Sequence, residues 1–307
     1  MKKRALKIAL SEQRAEVTAR KDAHSRRVAR ILSTPKINDA YSKYVSALFK
    51  KAFNGEEVNE AEEAEAKMNY VKTLAEFGYS ESDMNYRPFC PVCNDNGYVD
   101  GKLCRCVRAR YIGILKEVCD IENRAPFTFA DANFEVAKDD TQREALQKLF
   151  AFGKAWADRL PQVNTKSLVF FGSAGTGKTF LSSAIARETI ERGNSVQYVS
   201  AYEFNSAMLS VHTSPLAERE YKLNDYLTSD LLVIDDLGTE PMLKNVTLEY
   251  LLLVLEERTN KGLCTLITTN LSPSRLLNRY GERIYSRLAS KQTSRIFEFK
   301  GNDLRIN

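Results

Sequence analysis

The residues best suited to chemistry form a glycine-rich loop that ends in a lysine and a threonine. The loop reads Gly-Ser-Ala-Gly-Thr-Gly-Lys-Thr and fits the phosphate-binding pattern G-x-x-x-x-G-K-[ST]. It comprises Gly172, Ser173, Ala174, Gly175, Thr176, Gly177, Lys178 and Thr179. Such glycines allow backbone N–H groups to surround phosphate oxygens, and a following helix adds the positive end of its dipole. Lys178 is therefore expected to reach the β- and γ-phosphates of a nucleotide, and the Thr179 hydroxyl to hold Mg²⁺.

The flanks of the loop have the structure that this chemistry needs. Residues 167–171 form a short apolar run typical of a buried strand, and residues 180–186 are typical of a helix. A glycine-rich turn without function is the alternative interpretation. Strand, loop and helix in this order favour phosphate binding.

Two carboxylates follow a second apolar strand, residues 231–234. Parallel sheets bind ligands at the carboxyl ends of their strands, where these acids would lie. Asp235 is expected to orient the ligands of Mg²⁺, and Asp236 to polarise an attacking water as a general base. Such an acidic pair can also start a loop or cap a helix, but its pairing with the glycine loop favours the nucleotide site.

Four cysteines have the spacing of a metal site. Cys90 and Cys93 form C-x₂-C, and Cys104 and Cys106 form C-x-C after a ten-residue gap, with a turn predicted at Asp100-Gly101. Four thiolates around a short hairpin suit tetrahedral Zn²⁺, and we expect a closed structural site. Four ordinary buried thiols are the alternative.

The composition places limits on the class of protein. The chain has 307 residues, 43% of them hydrophobic, and a net charge of +5. It has room for two domains, and its charge permits contact with nucleic acid without requiring it. It shows neither a membrane-spanning run nor a secretion signal, so we expect a cytoplasmic protein without disulfides.

The first thirty residues are strongly basic. They contain ten Lys or Arg against three acids and predict one basic helix. This helix either docks a partner protein or nucleic acid, or is simply solvated.

Strands alternate with helices from about Phe127 onward, which predicts an α/β fold with a parallel sheet covered on both faces. A long helix is expected over 243–261, and two short ones over 273–279 and 282–290. We expect three parts: a helical partner-binding region over 1–85, a zinc module and linker over 86–125, and an ATPase domain over 126–307.

The combination of motifs resembles the AAA+ ATPases. The glycine loop corresponds to Walker A, the acidic strand to Walker B, and Thr268-Thr269-Asn270 to sensor 1. The resemblance implies that Asn270 follows a strand beside the Walker A strand and helps to place the attacking water. Residues 281–288 resemble the family's box VII, which implies that Arg287 is an arginine finger inserted into a neighbouring subunit. Arg305 falls where a sensor 2 arginine stands.

Within the AAA+ class, the chain most resembles bacterial and phage replicative-helicase loaders of the DnaC/DnaI type. The similarity includes the cysteine module, the lead-in 127–134, the run 235–238 and the Gly-x-x-x-Arg pattern over 301–305. It implies an ATP-hydrolysing, self-associating protein that loads a hexameric replicative helicase onto single-stranded DNA. The implied cofactors are ATP or ADP, Mg²⁺ and Zn²⁺, and no membrane is implied.

Two other functions remain open from the sequence. A transposition helper ATPase would share the AAA+ core, although the zinc module is expected in loaders and generally not in those helpers. A zinc-containing DNA-binding regulator with vestigial ATP binding is the second alternative, and ATP turnover would distinguish it.

Overall fold

The computed structural model describes residues 1–53 and 60–306, which fold as two compact units. One unit is Ala9–Val107, and the other is Met1–Ile8 with the chain from Arg108 onward. In the described residues, no helix combines the length and apolar character that a membrane crossing requires. The division into three parts expected from the sequence remains a prediction.

The unit Ala9–Val107 is mainly helical. Its elements are α1 (Lys2–Leu32, which begins in the other unit), α2 (Pro35–Phe53), α3 (Glu60–Glu76), α4 (Glu81–Met84) and the antiparallel hairpin β1 (Tyr98–Val99) and β2 (Lys102–Leu103). The predicted basic helix is thus confirmed as α1. Ile31 at the end of α1, Ile37 in α2 and Leu74 in α3 are fully buried and form the core of this helical group.

The other unit contains a five-stranded parallel sheet. Its strands are β3 (Ser167–Gly172), β4 (Val196–Ser200), β5 (Leu231–Leu237), β6 (Cys264–Thr269) and β7 (Ser294–Phe299). Their spatial order is β4-β5-β6-β3-β7, and every neighbouring pair is parallel. The sheet confirms the predicted α/β class and the predicted position of the strand that precedes Asn270, because β6 pairs with β3.

Helices connect and cover these strands. They are α5 (Arg105–Val118), α6 (Ile121–Arg124), α7 (Asp140–Asp158), α8 (Lys178–Glu191), α9 (Ala201–Thr213), α10 (Leu216–Thr228), α11 (Thr247–Asn260) and α12 (Pro273–Leu288). Side chains on consecutive strand residues point to opposite faces of a sheet. The four residues Leu231 to Ile234 are all 0% exposed, so both faces of β5 are covered, as the sequence predicts.

Two helices differ from those that the sequence predicts, one in its start and the other in its continuity. The predicted start of α11 at Leu243 was wrong, because Leu243 donates its N–H to the Thr247 side chain and Asn245 adopts a left-handed φ of +59°. The helix therefore begins only at Thr247. The break expected between two short helices occurs as a kink inside α12 at Gly281, where φ is +78°.

Candidate functional site

The glycine loop leaves β3 at Gly172 and enters α8 at Lys178. Gly172 and Gly175 have positive φ angles of +148° and +74°. A Cβ on Gly172 would come within 2.2 Å of the Phe299 carbonyl oxygen, and one on Gly175 within 1.7 Å of the Asp303 carboxylate. Conformation and space both require glycine at Gly172, which faces backbone, whereas at Gly175 the positive φ is the main reason for glycine.

Lys178 is held inside this loop. Its side chain is buried, and Nζ donates to the carbonyl oxygens of Gly172 at 2.8 Å and Ser173 at 2.6 Å. Burial lowers the pKa of Lys178, and the charge of Arg305 acts in the same direction. Asp235 and Asp236 act in the opposite direction and favour the ammonium form. The cation is thus set at the loop where a phosphate group would be bound.

Asp235 lies beside the end of the glycine loop. Its Oδ1 accepts hydrogen bonds from the hydroxyls of Thr268 at 2.6 Å and Thr179 at 3.3 Å. Burial raises the pKa of Asp235, although both hydroxyls oppose that effect. A carboxylate and a hydroxyl at this separation are oxygen ligands of the kind that Mg²⁺ prefers, so these residues fit the ion.

Asp236 and Asn270 are also brought together. The Asn270 side-chain amide donates to Asp236 Oδ1 at 2.8 Å, across the ends of β5 and β6. The Asp236 N–H donates to the Thr268 hydroxyl at 2.8 Å. Thr268 therefore contacts both acids, a role that sequence reasoning missed. The available signal was a hydroxyl residue near the end of the strand that precedes Asn270.

A cavity of about 700 Å³ joins these groups. Its polar lining residues include Lys178, Thr179, Asp235, Asp236, Asn270 and Arg305. Ala174, Gly175 and Gly177 contribute the loop, whereas Gly172, Ser173 and Thr176 do not line the cavity.

The cavity also has apolar and aromatic lining residues. Its lining side chains include Phe127, Phe134, Phe150 and Phe180, and the rings of Phe127 and Phe180 stack at 4.6 Å. Sequence reasoning used residues 127–134 only for the resemblance and assigned none of them to the site. Cations and oxygen ligands together with aromatic rings in one cavity suit the phosphates and the planar base of a nucleotide.

Arg287 does not line this cavity. Its guanidinium donates to Glu256 Oε1 at 3.0 and 3.3 Å, and the pair lies with Thr259 and Asn260 around a smaller cavity. The fold thus gathers the Walker residues, Asn270 and Arg305 at one site and leaves Arg287 at another. A role for Arg287 in a neighbouring subunit remains a prediction.

The four predicted zinc ligands are gathered in one cluster. All four Sγ atoms lie within 4.8 Å of one another, and the pairs Cys90–Cys104 and Cys93–Cys106 are each separated by 3.7 Å. A tetrahedral site with Zn–S bonds of ~2.3 Å places its sulfurs about 3.8 Å apart. The cluster therefore fits Zn²⁺ in both ligand type and spacing.

Asp95 organises the first half of this cluster, which sequence reasoning did not foresee. Its carboxylate accepts hydrogen bonds from the Cys90 N–H at 2.9 Å, the Phe89 N–H at 3.2 Å and the Tyr86 hydroxyl at 2.8 Å. The Gly97 N–H points to Cys93 Sγ at 3.4 Å. Such outer contacts fix the orientation of metal ligands.

The sheet order, the glycine loop and the paired acids define a nucleotide-binding P-loop protein. The family model for IstB-like ATP binding proteins matches residues 119–288, which is more than half of the chain. The chain belongs to this family of ATP-binding proteins.

Individual relatives agree with the resemblance to helicase loaders. The chain is 32% identical to the replicative helicase loader DnaC of Escherichia coli (strain K12) over 127 residues, 41% of this chain and 51% of that protein. It is 34% identical to the replicative helicase loader DnaI of Bacillus subtilis (strain 168) over 128 residues, 41% of this chain and 39% of that protein. The chain thus spans about half the length, or less, of these curated relatives.

A solved structure described as a crystal structure of the DnaC helicase loader is also similar. It covers 59% of this chain and 99% of its own chain, at 21% sequence identity and a TM-score of 0.47.

Proposed function

We propose that this protein is an ATP-hydrolysing loader that places a replicative DNA helicase on single-stranded DNA. The convergence of Lys178, Asp235, Asp236 and Asn270 on one cavity carries the ATPase part of the proposal. The similarity to proteins named replicative helicase loaders supports the loading part.

The site residues have separable roles in hydrolysis. Lys178 neutralises phosphate charge, and Asp236 accepts a proton from the attacking water, which Asn270 orients through its contact with Asp236. Thr179 and Asp235 would hold Mg²⁺, which neutralises phosphate charge when it is bound. Arg305 lies where it can stabilise charge on the phosphates.

Self-association completes the proposed catalytic site. Arg287 does not line the nucleotide cavity of its own chain, and a neighbouring chain would use it as an arginine finger. ATP then acts mainly as a switch, because binding that differs between two nucleotide states can drive release of the helicase.

The unit Ala9–Val107 supplies the proposed partner-binding function. A structural zinc ion held by the four cysteines would stabilise its hairpin, and this region would hold the hexameric helicase. The ATPase unit would contact single-stranded DNA. We place this work in the cytoplasm, where chromosome replication takes place in bacteria.

Co-purification and ATPase assays test the proposal together. The tagged protein should retain the replicative helicase from cell extract, and the purified protein should hydrolyse ATP at a rate that changes with single-stranded DNA. Retention of a transposase instead would support the transposition helper. Binding of duplex DNA without any turnover would support the regulator with vestigial ATP binding.

A further inference from the structure

Five residues after β7 cross the glycine loop, and we call Gly301–Arg305 the strap. The Leu304 N–H donates to the Gly175 carbonyl oxygen at 3.0 Å. The Asp303 carboxylate occupies the space next to Gly175 in which a Cβ would otherwise lie. The strap is thus attached directly to the backbone of the phosphate-binding loop.

One side chain from a distant helix holds the strap. Gln142 Nε2 donates to the Asn302 carbonyl oxygen at 3.0 Å, and Gln142 Oε1 accepts from the Asn302 N–H at 3.1 Å. Gln142 is only 4% exposed, so these bonds satisfy an amide that would be costly to bury unpaired. A Cβ on Gly301 would come within 2.2 Å of this side chain, so the strap passes close against it.

The start of α7 fixes the position of Gln142. Asp139 caps this helix and accepts hydrogen bonds from the N–H groups of Thr141 and Gln142. Gln142 is therefore the third residue of the helix. At this position the side chain of Gln often binds the backbone of the N-cap residue. Here the amide nitrogen and the amide oxygen of Gln142 both bind the strap instead.

The strap ends at the nucleotide cavity. Asp303 Oδ1 accepts the Arg305 N–H at 2.9 Å, and Arg305 lines the cavity together with Lys178. Any shift of the strap would move Arg305 relative to the glycine loop.

We propose that Gln142 is a positioning residue for nucleotide, which acts by clamping the strap so that Arg305 stays at the cavity. Gln142 does not line the cavity itself and acts through the backbone of Asn302. The inference rests on the proposed function of Arg305 at the nucleotide, but its binding and exchange readouts do not require ATP hydrolysis.

The main test is Gln142→Met, which keeps the buried volume and removes both hydrogen bonds. We expect a non-hydrolysable ATP analogue to bind about tenfold more weakly, because a displaced strap costs the bound phosphates their charge-assisted contact with Arg305. Arg305→Ala should have a similar effect, and the double variant should bind no more weakly than either single variant. Gln147→Met, at an exposed position on the same helix, is the matched control and should leave binding unchanged.

Hydrogen exchange gives a second readout that a general loss of stability would not reproduce. In Gln142→Met, the Leu304 amide should exchange faster while the amides of β3 and β5 keep their protection. Gly301→Ala displaces the strap from its own side, because its Cβ would push against an intact Gln142 and would strain a backbone with a φ of +120°. It should weaken binding in the same way even if Gln142→Met folds poorly.

Three results would overturn the proposal. The first is unchanged nucleotide binding in both Gln142→Met and Gly301→Ala. The second is a Leu304 amide that keeps its protection in Gln142→Met. The third is additive losses of affinity in the double variant of Gln142→Met and Arg305→Ala. If the wild-type protein binds nucleotide but does not hydrolyse it, the proposed ATPase fails, while binding and exchange still decide the role of Gln142.

Discussion

Asp236 carries its carboxylate on a left-handed backbone, with a φ of +60°. Asp and Asn tolerate this conformation better than other side chains with a Cβ. The same residue donates its N–H to Thr268, whose hydroxyl binds Asp235. A single threonine hydroxyl therefore ties the Asp235 carboxylate to the Asp236 backbone, and the hydrogen bond from Asn270 orients the Asp236 carboxylate.

Asp236→Asn tests the general base without disturbing this backbone. The amide cannot take a proton from water, so we expect kcat to fall by about 10²- to 10⁴-fold. Nucleotide affinity should stay close to normal, because Lys178 and the glycine loop are unchanged. Steady-state ATPase rates and equilibrium binding measure the two effects separately.

The control for this experiment is Asp140→Asn, a change at an 87% exposed carboxylate that should leave kcat unaltered. Normal turnover in Asp236→Asn would show that the base has been assigned to the wrong residue.

At the scale of elements, the cysteine hairpin depends on a tight turn. Asp100 and Gly101 have positive φ angles of +48° and +73° between the paired strands β1 and β2. Two such residues form the turn whose twist suits a two-residue hairpin. The turn returns Cys104 to the chain near Gly97, whose carbonyl oxygen accepts the Cys104 N–H at 2.9 Å. A hairpin this small has little core of its own, which is why a metal would stabilise it.

Cys90→Ser should release the metal from this hairpin. We expect about one Zn²⁺ per wild-type chain and a large loss in the variant, because serine is a poor zinc ligand. Elemental analysis of protein purified without chelators measures the content. Cys119→Ser, outside the cluster, should keep its zinc, and wild-type protein without zinc would contradict the prediction.

The loop that follows the two acids is tied to α12. Glu240 is 3% exposed and accepts hydrogen bonds from the Gly238 N–H at 2.8 Å and from the Tyr280 hydroxyl. Burial, together with the neighbouring Glu240, raises the pKa of Tyr280, so the phenol stays protonated as a donor. The contact between Glu240 and Tyr280 joins the loop after Asp236 to α12, next to the kink at Gly281. Arg287 lies in α12 beyond this kink.

Tyr280→Phe should destabilise the ATPase unit by about 1–3 kcal/mol, because it leaves a buried carboxylate short of one donor. Chemical denaturation measures the free energy of unfolding. Tyr221→Phe removes a hydroxyl at an 86% exposed position and should change that free energy by less than about 0.5 kcal/mol. Equal stability of the two variants would mean that the Glu240 contact contributes nothing.

At the scale of the whole molecule, the proposed mechanism needs more than one chain. Arg287 pairs with Glu256 of its own chain, and the two side chains are 50% and 41% exposed. Exposed ion pairs of this kind contribute little, so the guanidinium can leave Glu256 at small cost when a neighbouring subunit offers a phosphate.

Mixing two inactive variants tests this arrangement. Arg287→Ala should bind ATP normally and hydrolyse it poorly, as should Asp236→Asn. In a mixed assembly, an intact Arg287 from one chain meets an intact Asp236 on the other, so part of the ATPase activity should return. Lys261→Ala, which removes a cation from an exposed pair, is the control for Arg287→Ala. No recovery in demonstrated mixed oligomers would favour catalysis within a single chain.

The amino-acid sequence by itself determined the parts of the site that are local. A glycine loop between a strand and a helix, two acids at a strand end and paired cysteines around a turn are short patterns in which residue type and spacing carry the chemistry. The alternation of strands and helices likewise predicted the parallel sheet, whereas the placement of β6 beside β3 was implied by the resemblance to AAA+ ATPases. The sequence pattern gave a wrong boundary where the backbone changes direction. Asn245 has a left-handed φ, and α11 begins only after it, at Thr247.

Only the tertiary structure decided which distant residues complete these parts. Thr268 joins the two acids, Asp95 orders the cysteines through its own side chain, and Gln142 reaches a strap that lies 160 residues further along the chain. None of these contacts leaves a periodic or motif signature, because a single buried polar side chain can find its partner anywhere that packing brings a complementary group. The tertiary structure likewise decided that Arg287 does not line the nucleotide cavity of its own chain, because the packing of α11 and α12 sets it beside Glu256.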